Sequence, residues 1–157
     1  VRNGQNSGCD FLTVGSMGHA SQIAAGIAHA QPNRQVFCLD GDGAMLMHMG
    51  AAAIVGAAGV ENFKHVIFNN GVHDSVGGMA TAGLSVSFTQ IVKGCGYVEA
   101  WRVERHEDLA GKVAELRATR GPALLEIMVK RGARAELGRP KSSPIENKIA
   151  FMEFLSH

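Results

Sequence analysis

A chain of 157 residues, 46% hydrophobic and 18% charged, is long enough for one domain with a sizeable core and too apolar for a disordered segment. Its 15 basic and 14 acidic side chains leave a formal net charge of +1, which removes any general electrostatic case for nucleic acid or an anionic membrane. Cys9, Cys38 and Cys95 are widely spaced and form no C-x-x-C pair; with no signal peptide and no membrane-length apolar run in view, free thiols in the reducing cytoplasm are expected.

"DFLTVG", residues 10–15, reads as a short extended segment entering a glycine turn. From Ser16 to Ala30, small residues with Ile23 and Ile27 on one face predict a tightly packed helix, which "QPNR" ends. "QVFCLD", 35–40, is an apolar run between turn residues and predicts a strand buried on both faces. A helix of about four turns is expected from Ala44 to Ala58, with enough Ala and Gly for close approach to a neighbouring layer. "KHVIFNN", 64–70, predicts a second buried strand ending in polar residues, and "GVHDSVGGMATAG" a glycine-rich loop without periodicity. "SFTQIVKGCG" predicts a helix, "YVEAWRV" a strand, and "HEDLAGKVAELRAT" an amphipathic helix with Leu109, Val113 and Leu116 on one face. "PALLEIMV", 122–129, predicts the last strand. A basic, loop-like tail follows, and "IENKIAFMEFL" closes the chain as a short helix.

Strand and helix alternate without tight Asn-Gly hairpins, so an α/β fold with a mainly parallel sheet is expected. Ligands of such sheets sit beyond the carboxyl ends of the strands. Both "DGDG" and "NNGVHD" fall at strand ends. A calcium loop starting at Asp40 fails, because Ala44, Met45 and Ala51 stand where an oxygen ligand, a glycine and a glutamate are needed. No P-loop is present, and "GSMGHASQIAAG" lacks the dinucleotide spacing, although a glycine turn at a helix N-terminus can still hold phosphate.

Asp42 and Asn70 end successive strands, at the separation a strand–helix–strand unit takes, so adjacent parallel strands would bring them together. One carboxylate, one amide oxygen, a backbone carbonyl and phosphate oxygens suit Mg²⁺. Gly41 and Gly43 would let the backbone approach that phosphate, with the helix starting at Ala44 aiming its N–H groups at it.

Gly41-Asp42-Gly43 followed by Asn69-Asn70 resembles the cofactor motif of the thiamine diphosphate-dependent decarboxylases. With "DFLTVGSMGHASQIAAGIA", "NNGVHDSVGG" and "RAELGRPKSSPIENK", nearly the whole chain resembles the phosphonopyruvate decarboxylases, and next the sulfopyruvate decarboxylases. The resemblance implies a three-layer α/β/α diphosphate-binding domain. It also implies thiamine diphosphate and Mg²⁺ as cofactors, with Asp42, Asn70 and the Val72 carbonyl as metal ligands. Met17 matches the bulky side chain beneath the bent cofactor, and Gly15, Ser16 and Gly18 the backbone that meets its aminopyrimidine. The implied reaction converts 3-phosphonopyruvate to phosphonoacetaldehyde and carbon dioxide. Sulfopyruvate decarboxylase, another thiamine diphosphate-dependent lyase and a non-catalytic cofactor-binding module are the rival readings.

His73 is the candidate catalytic residue, for substrate binding or proton transfer, since imidazole titrates near pH ~6.5 when unperturbed. Asp74 and His19 are further substrate candidates, while His48 reads as a satisfied core or interface histidine. Arg131, Arg134, Arg139 and Lys141 form a basic tail, of which one arginine is expected to help bind a substrate anion. The glutamate that activates the cofactor belongs in such enzymes to a pyrimidine-binding domain, which nothing here matches. Residues 1–157 are therefore expected to be a single diphosphate- and Mg²⁺-binding domain, incomplete at its N-terminus and inactive alone. Its expected partner is a pyrimidine-binding domain or subunit, in a homo- or hetero-oligomer.

Overall fold

The computed structural model describes residues 8–136, 138 and 140–157. Met17–Arg131 form one compact unit, and Gly132–His157 with the N-terminal segment through Ser16 form another.

The larger unit runs α1 (Ala20–Ala30), β1 (Val36–Gly41), α2 (Asp42–Met47), α3 (Ala51–Ala58), β2 (Phe63–Asn69), β3 (Val72–His73), β4 (Met79–Ala80), α4 (Phe88–Gly94), β5 (Glu99–Val103), α5 (His106–Ala118) and β6 (Ala123–Met128). The main sheet has the order β1-β2-β6-β5 with every pairing parallel. Successive residues of each strand face opposite layers. Cys38, Phe63, Ile67 and Leu124 pack on one side with Ala24 and Ala28 of α1, Val55 of α3 and Val92 of α4. Val66, Val103 and Leu125 pack on the other with Leu116 of α5. Helices thus cover both faces, and the expected three-layer α/β/α architecture is observed.

Several local expectations are corrected. The helix expected from Ala44 to Ala58 is two helices, broken across His48–Gly50. It begins two residues early, so that Asp42 itself opens the first turn, and the His48 ring leaves the helix to bond the α1 entry. β1 is buried on one face only: Phe37 and Leu39 are 40% and 64% exposed. It is an edge strand, and α5 packs over β5 and β6. The aperiodic loop after Asn70 contains a two-stranded antiparallel hairpin, Val72–His73 against Met79–Ala80.

In the smaller unit, α6 (Pro144–Ser156) starts with a capping box: Glu146 N–H donates to Ser143 Oγ and Ser143 N–H to Glu146 Oε2. Residues 10–15 join no strand. Buried Asn147 holds this segment to α6, accepting from Leu12 N–H and donating to the Asp10 carbonyl, both at 2.8 Å, and Phe11 packs on Phe151.

Lys64 is fully buried in β2, and its ammonium donates to the carbonyls of Glu61, Thr119 and Gly121. Burial pushes its pKa below the usual lysine value. Lys64→Met would leave three inward carbonyls without their shared donor, and is expected to cost roughly 2–3 kcal/mol in urea unfolding.

Candidate functional site

The site forms where β1 and β2 end. Their register pairs Gly41 with Phe68, which carries Asp42 opposite Asn69. Both side chains are buried, at 2% and 0% exposure. The Asp42 carboxylate sits in the first turn of α2, where the helix N–H groups and dipole favour negative charge. Asp42 Oδ2 accepts from the Thr81 hydroxyl, and Thr81 Oγ1 accepts from Gly83 N–H. Asn69 Nδ2 donates to the Gly83 carbonyl (2.8 Å) and to Glu126 Oε1 (2.7 Å), while its Oδ1 accepts from Gly71 N–H. Segment 81–83 is thereby folded onto the ends of both strands.

Two acceptor oxygens converge there. Asn69 Oδ1 lies 2.9 Å from the place a Cβ on Gly83 would take, and Asp42 Oδ2 lies nearer still. Only a residue without a side chain fits between them.

Three further predicted residues meet at the first turn of α2. The His73 ring lies against Gly43 so closely that a Cβ at Gly43 would overlap it. Gly18, with φ of +92°, faces Ala44: a Cβ there would come within 2.6 Å of the Ala44 carbonyl and 2.7 Å of His48 Nδ1. His48 Nδ1–H donates to the Met17 carbonyl at 3.0 Å, which ties Met17 to the end of α2. Met17 is 38% exposed.

Other predicted residues are placed differently. The Asn70 amide is bonded within its own loop: its Oδ1 accepts from Val72 N–H at 3.0 Å and its Nδ2 donates to Asp74 Oδ2 at 2.7 Å. Asn70 and Val72, two of the three implied metal ligands, are therefore together, while Asp42 faces Asn69. His19 packs on His48, ring centroids 4.0 Å apart. Gly15 and Ser16 belong to the smaller unit and both have left-handed backbone, with φ of +73° and +43°. Arg131, Arg134 and Lys141 are exposed, and Arg139 lies outside the described residues.

Thr81, Gly83 and Glu126 escaped sequence reasoning, and Asn69 reads there as part of the motif without a role of its own. Glu126 carried the clearest signal, as a lone acid inside an apolar strand; here it is 1% exposed and anchors Asn69. Carboxylate, amide and carbonyl oxygens are the donors a hard cation takes, and the first-turn N–H groups of α2 are donors of the kind a phosphate accepts from. The residues present fit Mg²⁺ and a diphosphate group.

Residues 2–127 match the family described as "Thiamine pyrophosphate enzyme, C-terminal TPP binding domain". The chain is 38% identical over 146 residues to phosphonopyruvate decarboxylase from Streptomyces viridochromogenes, covering 93% of this chain and 36% of that protein. It is 36% identical over 88 residues to sulfopyruvate decarboxylase subunit beta from Methanocaldococcus jannaschii, covering 55% of this chain and 46% of that protein. The chain thus spans less than half the length of either relative. In fold it resembles a thiamin diphosphate-dependent enzyme from Mycobacterium smegmatis, with TM-score 0.64 and 22% identity over 74% of this chain and 22% of that one. Among the described residues no helix is long and apolar enough to cross a membrane.

Proposed function

The chain belongs to the thiamine pyrophosphate enzyme family, carrying its C-terminal TPP binding domain, and from that premise we propose that it is the diphosphate-binding half of a Mg²⁺- and thiamine diphosphate-dependent 2-oxo acid decarboxylase. Its proposed substrate is 3-phosphonopyruvate and its products are phosphonoacetaldehyde and carbon dioxide. One observation supports this reading above all: the β1–β2 register brings Asp42, at the N-terminus of α2, opposite Asn69 of the Asn69-Asn70 pair at the strand ends.

In the proposed arrangement Asp42, the Asn70 amide oxygen and the Val72 carbonyl hold Mg²⁺. Asn69 sets the distance between the two strand ends. Gly41, Gly43 and Ala44 present the α2 N-terminus to the diphosphate, Gly15, Ser16 and Gly18 meet the aminopyrimidine by backbone, and Met17 supports the cofactor. Bound thiamine diphosphate supplies the nucleophilic carbon and the electron sink that decarboxylation requires. A pyrimidine-binding domain, in the same polypeptide or another, supplies the activating glutamate.

His73 is proposed to bind the substrate anion or move a proton, with Asp74 and His19 as accessory substrate contacts. His73→Ala is expected to lower kcat/KM about 100-fold while the urea midpoint stays in place. Unchanged kinetics would remove His73 from the reaction.

Sulfopyruvate is the alternative substrate, favoured by the shorter match to that enzyme's subunit beta. A non-catalytic cofactor-binding module is separated by calorimetry and turnover together on the full-length protein. Mg²⁺-dependent thiamine diphosphate binding with decarboxylation is the expected result, and binding without release of carbon dioxide, with the pyrimidine-binding domain present, would favour the module.

A further inference from the structure

Behind the Asp42 loop, inside the sheet, a second group of ligand-type side chains has no part in the reaction above. Cys38 and Asp40 lie two apart on one face of β1, and His65 pairs with Cys38 across the β1–β2 ladder. One ligand atom from each, thiol sulfur, carboxylate oxygen and ring nitrogen, lies within 4.8 Å of the others. Asp40 and His65 are 8% and 0% exposed, yet Asp40 Oδ2 and His65 Nε2 make no hydrogen bond and face each other at 3.5 Å. Buried polar atoms without partners are costly, and two aimed at one point call for something between them.

We propose that Cys38, Asp40 and His65 form a site for a thiophilic divalent cation of the zinc class, distinct from the Mg²⁺ site and independent of the decarboxylase reading. A thiolate, an imidazole and a carboxylate are all zinc donors, and together they neutralise a dication in the core. Bonds of about 2.0–2.3 Å set tetrahedral ligands roughly 3.3–3.8 Å apart, so the Asp40–His65 edge already fits at 3.5 Å, and the Cys38 sulfur lies within 4.8 Å of both. The other nitrogen, His65 Nδ1, is 3.2 Å from the Tyr97 hydroxyl. When Nδ1–H donates to that hydroxyl, Nε2 presents its lone pair to the ion, as metal-binding histidines require. Burial and the Asp40 carboxylate raise the Cys38 pKa, so the empty site holds a thiol. On binding, the sulfur–metal bond forms and the thiol proton leaves to solvent. The fourth position is left to a water molecule. Asp40 Oδ1 also accepts from Gly41 N–H, so the ion would brace the strand end that carries Asp42.

The test uses the full-length protein, with exposed thiols alkylated and Mg²⁺ in excess, loaded with Zn²⁺ and then dialysed. One zinc per chain by elemental analysis and a raised Tm are expected. Cys38→Ser is expected to weaken zinc at least about 10-fold against a chromogenic chelator, and Tyr97→Phe to weaken it by about the same factor. Asp42→Asn is expected to leave zinc unchanged. Co²⁺ in the wild type should give a thiolate charge-transfer band, which decides the matter even if Cys38→Ser folds poorly. Trace zinc with an unmoved Tm, zinc retained in folded Cys38→Ser, or Co²⁺ without a thiolate band would each overturn the proposal.

Discussion

Asp42→Asn is expected to weaken Mg²⁺-dependent thiamine diphosphate binding by at least about 100-fold, with decarboxylation at limiting cofactor falling in step. The substitution keeps the side chain's volume in a site that is 2% exposed, so packing is preserved. It removes the only full negative charge of the implied donor set and replaces one oxygen with a group that donates. The change gives up the charge at the α2 N-terminus and weakens the bond accepted from the Thr81 hydroxyl, so a loss of only about 1 kcal/mol is expected in urea unfolding. Affinity lost far beyond that small change in stability is the signature of a site kept for its ligand.

Asn69 and Asn70 are expected to separate stability from binding. Asn69→Ala removes a 0% exposed amide that bonds Gly83, Glu126 and Gly71, and should cost roughly 3–4 kcal/mol of unfolding free energy. Asn70→Ala removes a half-buried side chain bonded to Val72 and exposed Asp74, and should cost about 1 kcal/mol or less. If Asn70 is the metal ligand, this nearly neutral change still lowers cofactor affinity about 10- to 100-fold. Cofactor affinity untouched by Asn70→Ala, but lost in an Asn69→Asp variant that remains folded, would transfer the ligand role to Asn69.

This pair also marks where the sequence was legible. Strands at 36–41, 63–69, 99–103 and 123–128 were readable because each apolar run is bounded by turn residues, and a parallel sheet left few alternatives. That order brought Asp42 to the Asn69-Asn70 pair. Which asparagine faces Asp42 depends on register, since neighbouring residues at a strand end point to opposite sides. A one-residue difference is invisible in the motif and plain in the Gly41–Phe68 pairing.

Other features were illegible for different physical reasons. The break at His48–Gly50 contains Gly50, a weak local signal against helix, and coincides with a tertiary bond from His48 to the Met17 carbonyl that no local pattern announces. The exposed face of β1 looked like core because residue type does not reveal an edge strand, and Phe37 and Leu39 are as apolar as any core pair. Thr81 and Gly83 matter only because their loop folds back across 39 residues of sequence to meet Asp42, a contact with no local pattern.

The most direct measurement is carbon dioxide release from 3-phosphonopyruvate by the full-length protein with the pyrimidine-binding domain present, set beside sulfopyruvate and pyruvate. Release that requires both thiamine diphosphate and Mg²⁺, prefers the phosphonate and yields phosphonoacetaldehyde is the predicted result. No release from any of the three, with both cofactors present at saturating concentration, would contradict it.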